Sequence, residues 1–347
     1  MTGHPRQRPG PRQAQRARAV DIHAHAVPRA LLAGLAHGGE TFPHVDIIPH
    51  EGTYTVSFAG GPPTRPVAPG LMDPEQRASW MRCHGISRQV IAGWLDIFGY
   101  QLPPAEGAAW AELLSAHLAE QATADPRLTA LGTVPLQDPS RAAEALRDRH
   151  GDGMPGIMIA TRAGDRELDD PAFVPLWEAA DELGAVVYLH PGFGGASPRY
   201  AKFGLLNGLG RIEDSTVAAA RLLYAGVPAR FPGMKLVVAH GGGALPYVLG
   251  RLVRNHLISG GAFADPLESF ARLYFDTVVF DPPALRLLLA RAGAGRLLLG
   301  SDYPFPIGDP EPRRVIEQAG LAAGDEALIL GETATRLFRA PATEGPR

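Results

Sequence analysis

Five residues of this 347-residue chain have the types and spacing to hold a metal ion and work beside it. His23 and His25 stand two apart in AVDIHAHA, and the two-residue period of a strand turns both to one face. His190 closes AVVYLH ahead of Pro191-Gly192, and His240 closes KLVVAH ahead of Gly241-Gly242-Gly243. Asp302 closes RLLLGSD ahead of Tyr303-Pro304. Imidazole nitrogens with one carboxylate suit a borderline divalent cation and leave a position for water or substrate. Singly, each is a weak signal. A His-x-His pair is more often surface or core, a His before glycines is a turn residue, and an Asp before Tyr-Pro is a cap. Their conjunction at the ends of apolar runs carries the reading. His37, His44, His50, His84, His117, His150 and His256 fall in loops or helices and read as solvated or packing residues.

The elements that must position these residues follow from periodicity. Apolar runs at 19–26, 86–93, 128–136, 155–160, 185–190, 235–240, 272–280 and 296–302 alternate with helix-like segments. These helical segments cover 105–124, 139–150, 171–184, 214–230, 243–256, 282–292 and 310–320. Strict alternation implies an α/β fold with parallel strands, because parallel neighbours need crossover connections. Eight strands predict a closed (β/α)8 barrel, whose working face is the C-terminal one where all five residues stand. Asp138-Pro139, Asp170-Pro171 and Asp281-Pro282 read as an N-cap followed by proline at the first helical position. Residues 19–340 form one domain in this reading. The long segment 27–70 is a small insertion over the barrel mouth, with VDII and TYTVSF pairing as a hairpin before the stiff GGPPTRPVAPG.

Composition sets the outer bounds. With 45% hydrophobic and 20% charged residues, the chain is ordinary globular protein. No apolar run approaches the roughly 18 residues of a membrane helix. The single cysteine, Cys83, excludes an intrachain disulfide framework and an all-cysteine metal site, and fits a cytoplasmic, reducing location. Residues 1–18 hold Arg6, Arg8, Arg12, Arg16 and Arg18 with no acid and no apolar core, so a disordered leader rather than a secretory signal is expected. The rest carries 28 of the 33 basic residues against all 36 acids, a balance that does not advertise nucleic-acid binding. Lys202 and Lys235 are the only lysines, which disfavours Schiff-base chemistry.

His23-Ala24-His25, His190-Pro191, His240-Gly241-Gly242-Gly243 and Leu299-Gly300-Ser301-Asp302-Tyr303-Pro304 resemble the amidohydrolase superfamily, and within it the decarboxylase branch typified by the carboxymuconate-semialdehyde decarboxylases. The likeness runs from about Val20 to Phe338 and extends to FGY (98–100) and VPLQD (134–138). It implies that His23, His25, His190 and Asp302 bind one divalent ion, zinc by default and manganese as the alternative. It also implies that His240 contacts the ion's water or the substrate. Dinuclear barrels of this kind bridge two ions through a lysine or acid on the fourth strand. PGIMIA offers neither, and Lys235 lies on the face opposite His240.

Arg65, in TRPV, and Arg251, in LGRL, match two arginines of the branch that bind a substrate carboxylate. The second reaches in from a neighbouring subunit, which implies a homodimer or higher homo-oligomer. An arginine fork meets a carboxylate with two parallel hydrogen bonds. Two positions depart from the branch: Gly192 stands where it has Trp, and Ser259 where it has a basic residue. The expected activity is mononuclear, metal-dependent, non-oxidative decarboxylation of an unsaturated or aromatic carboxylic acid, with His240 and Asp302 as its acid–base groups. The rival is hydrolysis of a lactone, an amide or a C–C bond by the same site.

Overall fold

Each apolar run contributes a strand, although those at 128–136, 272–280 and 296–302 keep only two or three residues in the ladder. In the computed structural model, which describes residues 19–38, 42–192 and 197–339, β1 (Ala19–Ala26) coincides with its run and all eight residues are buried. The leader expected over residues 1–18 lies outside the described residues. Burial on both faces belongs to a strand whose sheet is covered on each side. After β1 come β2 (Val45–His50), β3 (Thr53–Phe58), β4 (Ile86–Gly93), β5 (Leu128–Ala130) and β6 (Gly156–Ala160). The two-residue strands β7 (Arg162–Ala163) and β8 (Arg166–Glu167) precede β9 (Val186–His190), β10 (Lys235–Val238), β11 (Tyr274–Asp276) and β12 (Leu297–Leu298).

The chain is α/β. Parallel strands pair in the orders β1-β4-β5 and β12-β11-β10-β9-β6. Hydrogen bonds also cross between the two sheets at both pairs of edges. Met158 N donates to Gly132 O at 2.9 Å on one side; Ile22 N donates to Leu299 O at 2.9 Å and His25 N to Tyr303 O at 2.8 Å on the other. β2 and β3 pair antiparallel, as VDII and TYTVSF predict.

Strand alternation divides the apolar core. On β9, Val187 and Leu189 join Leu176 and Trp177 of the covering helix Val174–Leu183. Val186 and Tyr188 join Ile22, Met158, Val237 and Leu298 instead. The helices start where capping chemistry places them. Asp138 accepts from Arg141 N to open Pro139–Gly151, and Asp281 accepts from Ala284 N to open Pro282–Ala292. Asp170 accepts from Ala172 N, but the element it opens is a 3-10 turn, Pro171–Phe173. The one helix expected over 214–230 is two, Arg211–Tyr224 and Val227–Arg230, because Gly226 takes a left-handed φ of 68° that ends the first. Among the described residues, no helix is long and apolar enough to cross a membrane.

The glycines after His240 are a packing requirement. Gly243 has φ 63°, and a Cβ there would lie 2.6 Å from both Ile212 O and Thr216 Oγ1. The first neighbour is backbone and cannot swing aside. Gly243→Ala therefore combines a disfavoured dihedral with overpacking, and should destabilise the fold by about 1–3 kcal/mol. Urea denaturation should show a lower midpoint with an unchanged slope; an unchanged midpoint would mean that the 212–216 turn yields at no cost.

Candidate metal centre

β1 turns His23 and His25 to the same side, and β9 ends on His190. His240 and Asp302 do not end strands as expected. β10 stops at Val238 and β12 at Leu298, so both residues sit in the turns that follow, with φ 55° and 59°. A left-handed backbone is uncommon for residues other than glycine, although His and Asp are enriched in it, and such strain clusters at functional sites. The turns still bring the side chains onto the cluster. Ligand atoms of His23, His25, His190 and Asp302 all lie within 4.8 Å of one another, and the four residues are buried. His240 Nε2 is 3.5 Å from Asp302 Oδ2.

The hydrogen bonds behind these rings fix what faces inward. His25 Nδ1 lies 3.2 Å from Gly93 O and His190 Nδ1 2.9 Å from Pro191 O. A carbonyl only accepts, so both Nδ1 atoms carry the proton and, in the neutral ring, Nε2 is a bare lone pair. His23 Nδ1 lies 2.7 Å from Asp276 Oδ2 and donates to it. Three imidazole lone pairs thus converge, with His23 Nε2 and His25 Nε2 only 3.3 Å apart. Asp302 Oδ1 lies 3.1 Å from His25 Nε2 and 3.4 Å from His23 Nε2, yet takes no well-directed hydrogen bond. Among the described residues, His190 Nε2 is likewise buried without a hydrogen-bond partner. Acceptors packed this closely repel unless a cation stands among them. The donor set fits a divalent metal ion.

Electrostatics agree. Burial would raise the Asp302 carboxyl, but the His23 charge and the adjacent His240 and His25 rings hold it well below the usual carboxylate range. Burial, with His25, His23 and His240 adding to it, pushes His190 well below an ordinary imidazole. Burial also lowers His25, against the pull of Asp302. An ionised carboxylate and neutral imidazoles are the forms that bind metal. His23 goes the other way: burial opposes its protonation, but Asp302 and then Asp276 outweigh it. The field at this ring favours positive charge.

Sequence reasoning missed two buried carboxylates that organise the cluster. Asp276, the last residue of β11, accepts from His23 Nδ1, Tyr188 OH at 2.8 Å and His240 N at 2.9 Å on one oxygen. Its other oxygen takes Gly241 N at 2.9 Å and Val278 N at 3.1 Å. Burial would raise its pKa, but His23, His240 and the Gly241 amide hold it to about 2. Asp21 accepts from Ser301 Oγ at 2.6 Å, Ser301 N at 3.0 Å and Gln89 Nε2 at 2.8 Å, tying β1 to the loop that carries Asp302. Burial pushes it up to about 6 against those bonds. The signal was available, since each is a lone acid inside an apolar strand, where an unpartnered charge is too costly to stand. Gly300 completes the support: a Cβ there would lie 2.9 Å from Asp276 Cβ and 3.0 Å from His23 Cβ.

The remaining expected residues lie further out. Arg65 is exposed, with its guanidinium 5.2 Å from the Trp94 ring and 5.5 Å from the Phe305 ring. Phe305 in turn lies 5.1 Å from the His25 ring, so one aromatic side chain separates Arg65 from the cluster. Arg251 is exposed on the helix Leu245–Ile258, and among the described residues no hydrogen bond or ion pair joins it to the cluster. Among the described residues, a Cβ on Gly192, two residues past His190, would meet Ala160 Cβ at 4.0 Å and nothing nearer.

Residues 20–340 match the profile of the family described as amidohydrolase. The chain is 29% identical over 308 residues to the 2-amino-3-carboxymuconate-6-semialdehyde decarboxylase of Dictyostelium discoideum, covering 86% of this chain and 85% of that one. Among solved structures it is similar to 5-carboxyvanillate decarboxylase from Sphingomonas paucimobilis, with TM-score 0.78 and 24% identity over 93% of this chain and 99% of that one. The 5-carboxyvanillate decarboxylase of Novosphingobium aromaticivorans, solved with manganese and 4-hydroxy-3-methoxy-5-nitrobenzoic acid, gives TM-score 0.72 and 20% identity over 93% and 96%. At these identities the structural likenesses speak for the fold.

Because Asp276 orients His23 and increases its basicity, Asp276→Asn should weaken divalent-metal affinity by about 10–100-fold. Chelator competition on the apo protein measures this directly. Unchanged affinity would reduce Asp276 to a partner of the backbone turns.

Proposed function

Since the chain belongs to the amidohydrolase family, we propose that this centre carries out metal-dependent, non-oxidative decarboxylation of an unsaturated or aromatic carboxylic acid. The observation that carries the reading is the set of three bare imidazole nitrogens and one carboxylate oxygen within 4.8 Å, in a chain that aligns with a decarboxylase over most of its length. His23, His25, His190 and Asp302 would hold one divalent ion. Zinc is the proposed ion on the strength of the donor types, and the manganese in the Novosphingobium aromaticivorans enzyme makes manganese the alternative. When bound, the ion supplies Lewis acidity that draws electron density from a substrate oxygen.

The chain's own residues supply the rest. Arg65, at the rim beside Trp94 and Phe305, suits the substrate carboxylate. Loss of CO2 breaks the bond between the carboxyl and its carbon heterolytically and leaves the electron pair on that carbon, which must then receive a proton. His240 Nε2, 3.5 Å from Asp302 Oδ2, is the proposed donor, with the carboxylate stabilising the protonated ring. Hydrogen bonds across both pairs of sheet edges support closure of the eight parallel strands into a (β/α)8 barrel within a single domain, 19–340. The contacts of Arg65 support a reading of 27–70 as an insertion over its mouth. The single cysteine supports a cytoplasmic location.

A shared site between subunits is part of the proposal. Tyr247, Arg251, Arg254 and Ile258 recur on one exposed face of their helix, with Tyr247 79% and Ile258 64% exposed. A second copy covering that face would bury two large apolar side chains and carry Arg251 toward the neighbour's substrate.

His240→Ala should retain the metal and lose about 10²–10⁴-fold in turnover, assayed as CO2 release from a panel of hydroxybenzoates and muconate semialdehydes. Loss of metal would make His240 a ligand, and water incorporation without CO2 would favour the hydrolase. Mixing Arg251→Ala chains with His23→Ala chains, each nearly inactive alone, should restore part of the activity. Mixed dimers that recover nothing would leave Arg251 a solvated helix residue.

A further inference from the structure

Each histidine of the cluster needs a fixed partner behind it, and the three partners differ. His23 has the Asp276 carboxylate and His25 the carbonyl of Gly93 at the end of β4. His190 has only the carbonyl of the very next residue, Pro191. A carbonyl one residue away moves with the chain it is meant to brace. It must itself be held.

Arg211, the first residue of the helix Arg211–Tyr224, reaches that point. Its Nη1 donates to Gly192 O at 3.0 Å and to Pro191 O at 3.3 Å, so Pro191 O receives both the His190 ring and the guanidinium. The helix carrying Arg211 is anchored independently. Thr161, just past β6, donates to Asp214 Oδ2 at 2.5 Å, and Thr216 Oγ1 accepts from Ala244 N at 2.8 Å. A charged, planar donor fixed to that helix therefore clamps the two peptide groups that follow His190.

We infer that Arg211 is a positioning residue: by holding the Pro191 and Gly192 carbonyls it fixes the His190 ring and presents His190 Nε2 to the ion. The inference rests on the metal-centre reading. Among the described residues, no hydrogen bond or ion pair joins Arg211 to His23, His25 or Asp302, so the effect inferred for it passes through His190.

Calorimetric titration of apo protein with Mn2+ tests this without any substrate. Arg211→Met removes the donor and should weaken Mn2+ affinity by about 10–100-fold, the usual cost of losing a residue that orients a ligand. Arg211→Lys keeps a charged donor and should recover part of the loss. The decisive arm is the double variant. In a His190→Ala background, Arg211→Met should weaken binding no further, because there is no ring left to position. Equal losses in both backgrounds would overturn the inference in favour of general support of the fold. So would parent-like affinity in Arg211→Met. If Arg211→Met does not fold, the same cycle runs with Arg211→Lys and Arg211→Gln. Parent-like affinity in His190→Ala alone would instead overturn the metal-centre reading, and the two failures are thereby told apart.

Discussion

The Asp276 carboxylate binds the elements of the site to one another. Five donors from four places meet on it: a ring from β1, a phenol from β9, two amides from the turn after β10 and one from just past its own strand. A buried charge is tolerated only when its lone pairs are filled, and once filled it punishes the loss of any donor. Sheet formation and site formation are therefore one event. If the His240 turn moved off Asp276, two amides would be left unpaired and the field at His23 would change with them.

That arrangement makes the three histidines unequal. His23 is backed by a full negative charge, His25 by a neutral peptide, and His190 by a peptide that also faces a guanidinium. Electron density at Nε2 should fall in that order, because a carboxylate pushes charge into the ring and a cation withdraws it. His23 and His190 also depart from ordinary imidazole behaviour in opposite directions: Asp302 and Asp276 outweigh burial at His23, whereas His25, His23 and His240 add to it at His190. An ion bound here would sit in a field graded from β1 toward β9.

Much of this was legible in the residues. β1 and β4 fall on their predicted runs because β1 is buried throughout and β4 everywhere but at Ser87 and Arg88, and an apolar run then has no competing period. His23, His25 and His190 were legible because they lie in regular strand, where alternation dictates direction. The runs ending at His240 and Asp302 suggested strands to their last residue, whereas the ladders stop early and the chain turns through left-handed backbone. Hydropathy does not register that turn; the three glycines after His240 do. Asp276 and Asp21 went unremarked because a single acid in an apolar run resembles noise until its donors, which come from other strands, are known. Arg211 was hidden for a related reason. Its partners are backbone carbonyls twenty residues away, and carbonyls leave no mark in a sequence.

Gly192 has the opposite character to Gly300. At Gly300 the backbone is hemmed in by Asp276 and His23, whereas around Gly192 the nearest described atom to a new Cβ is at ordinary van der Waals distance. Among the described residues, the two glycines differ as a place that only hydrogen can occupy and a place where a Cβ meets no close neighbour. Among the described residues nothing opposes a larger side chain at Gly192, and the carbonyl that Arg211 grips is left in place. Most active-site positions trade substrate range against folding. At Gly192 the described neighbours leave room, so a library at this single codon would test whether side-chain bulk two residues past His190 alters the size of acid accepted.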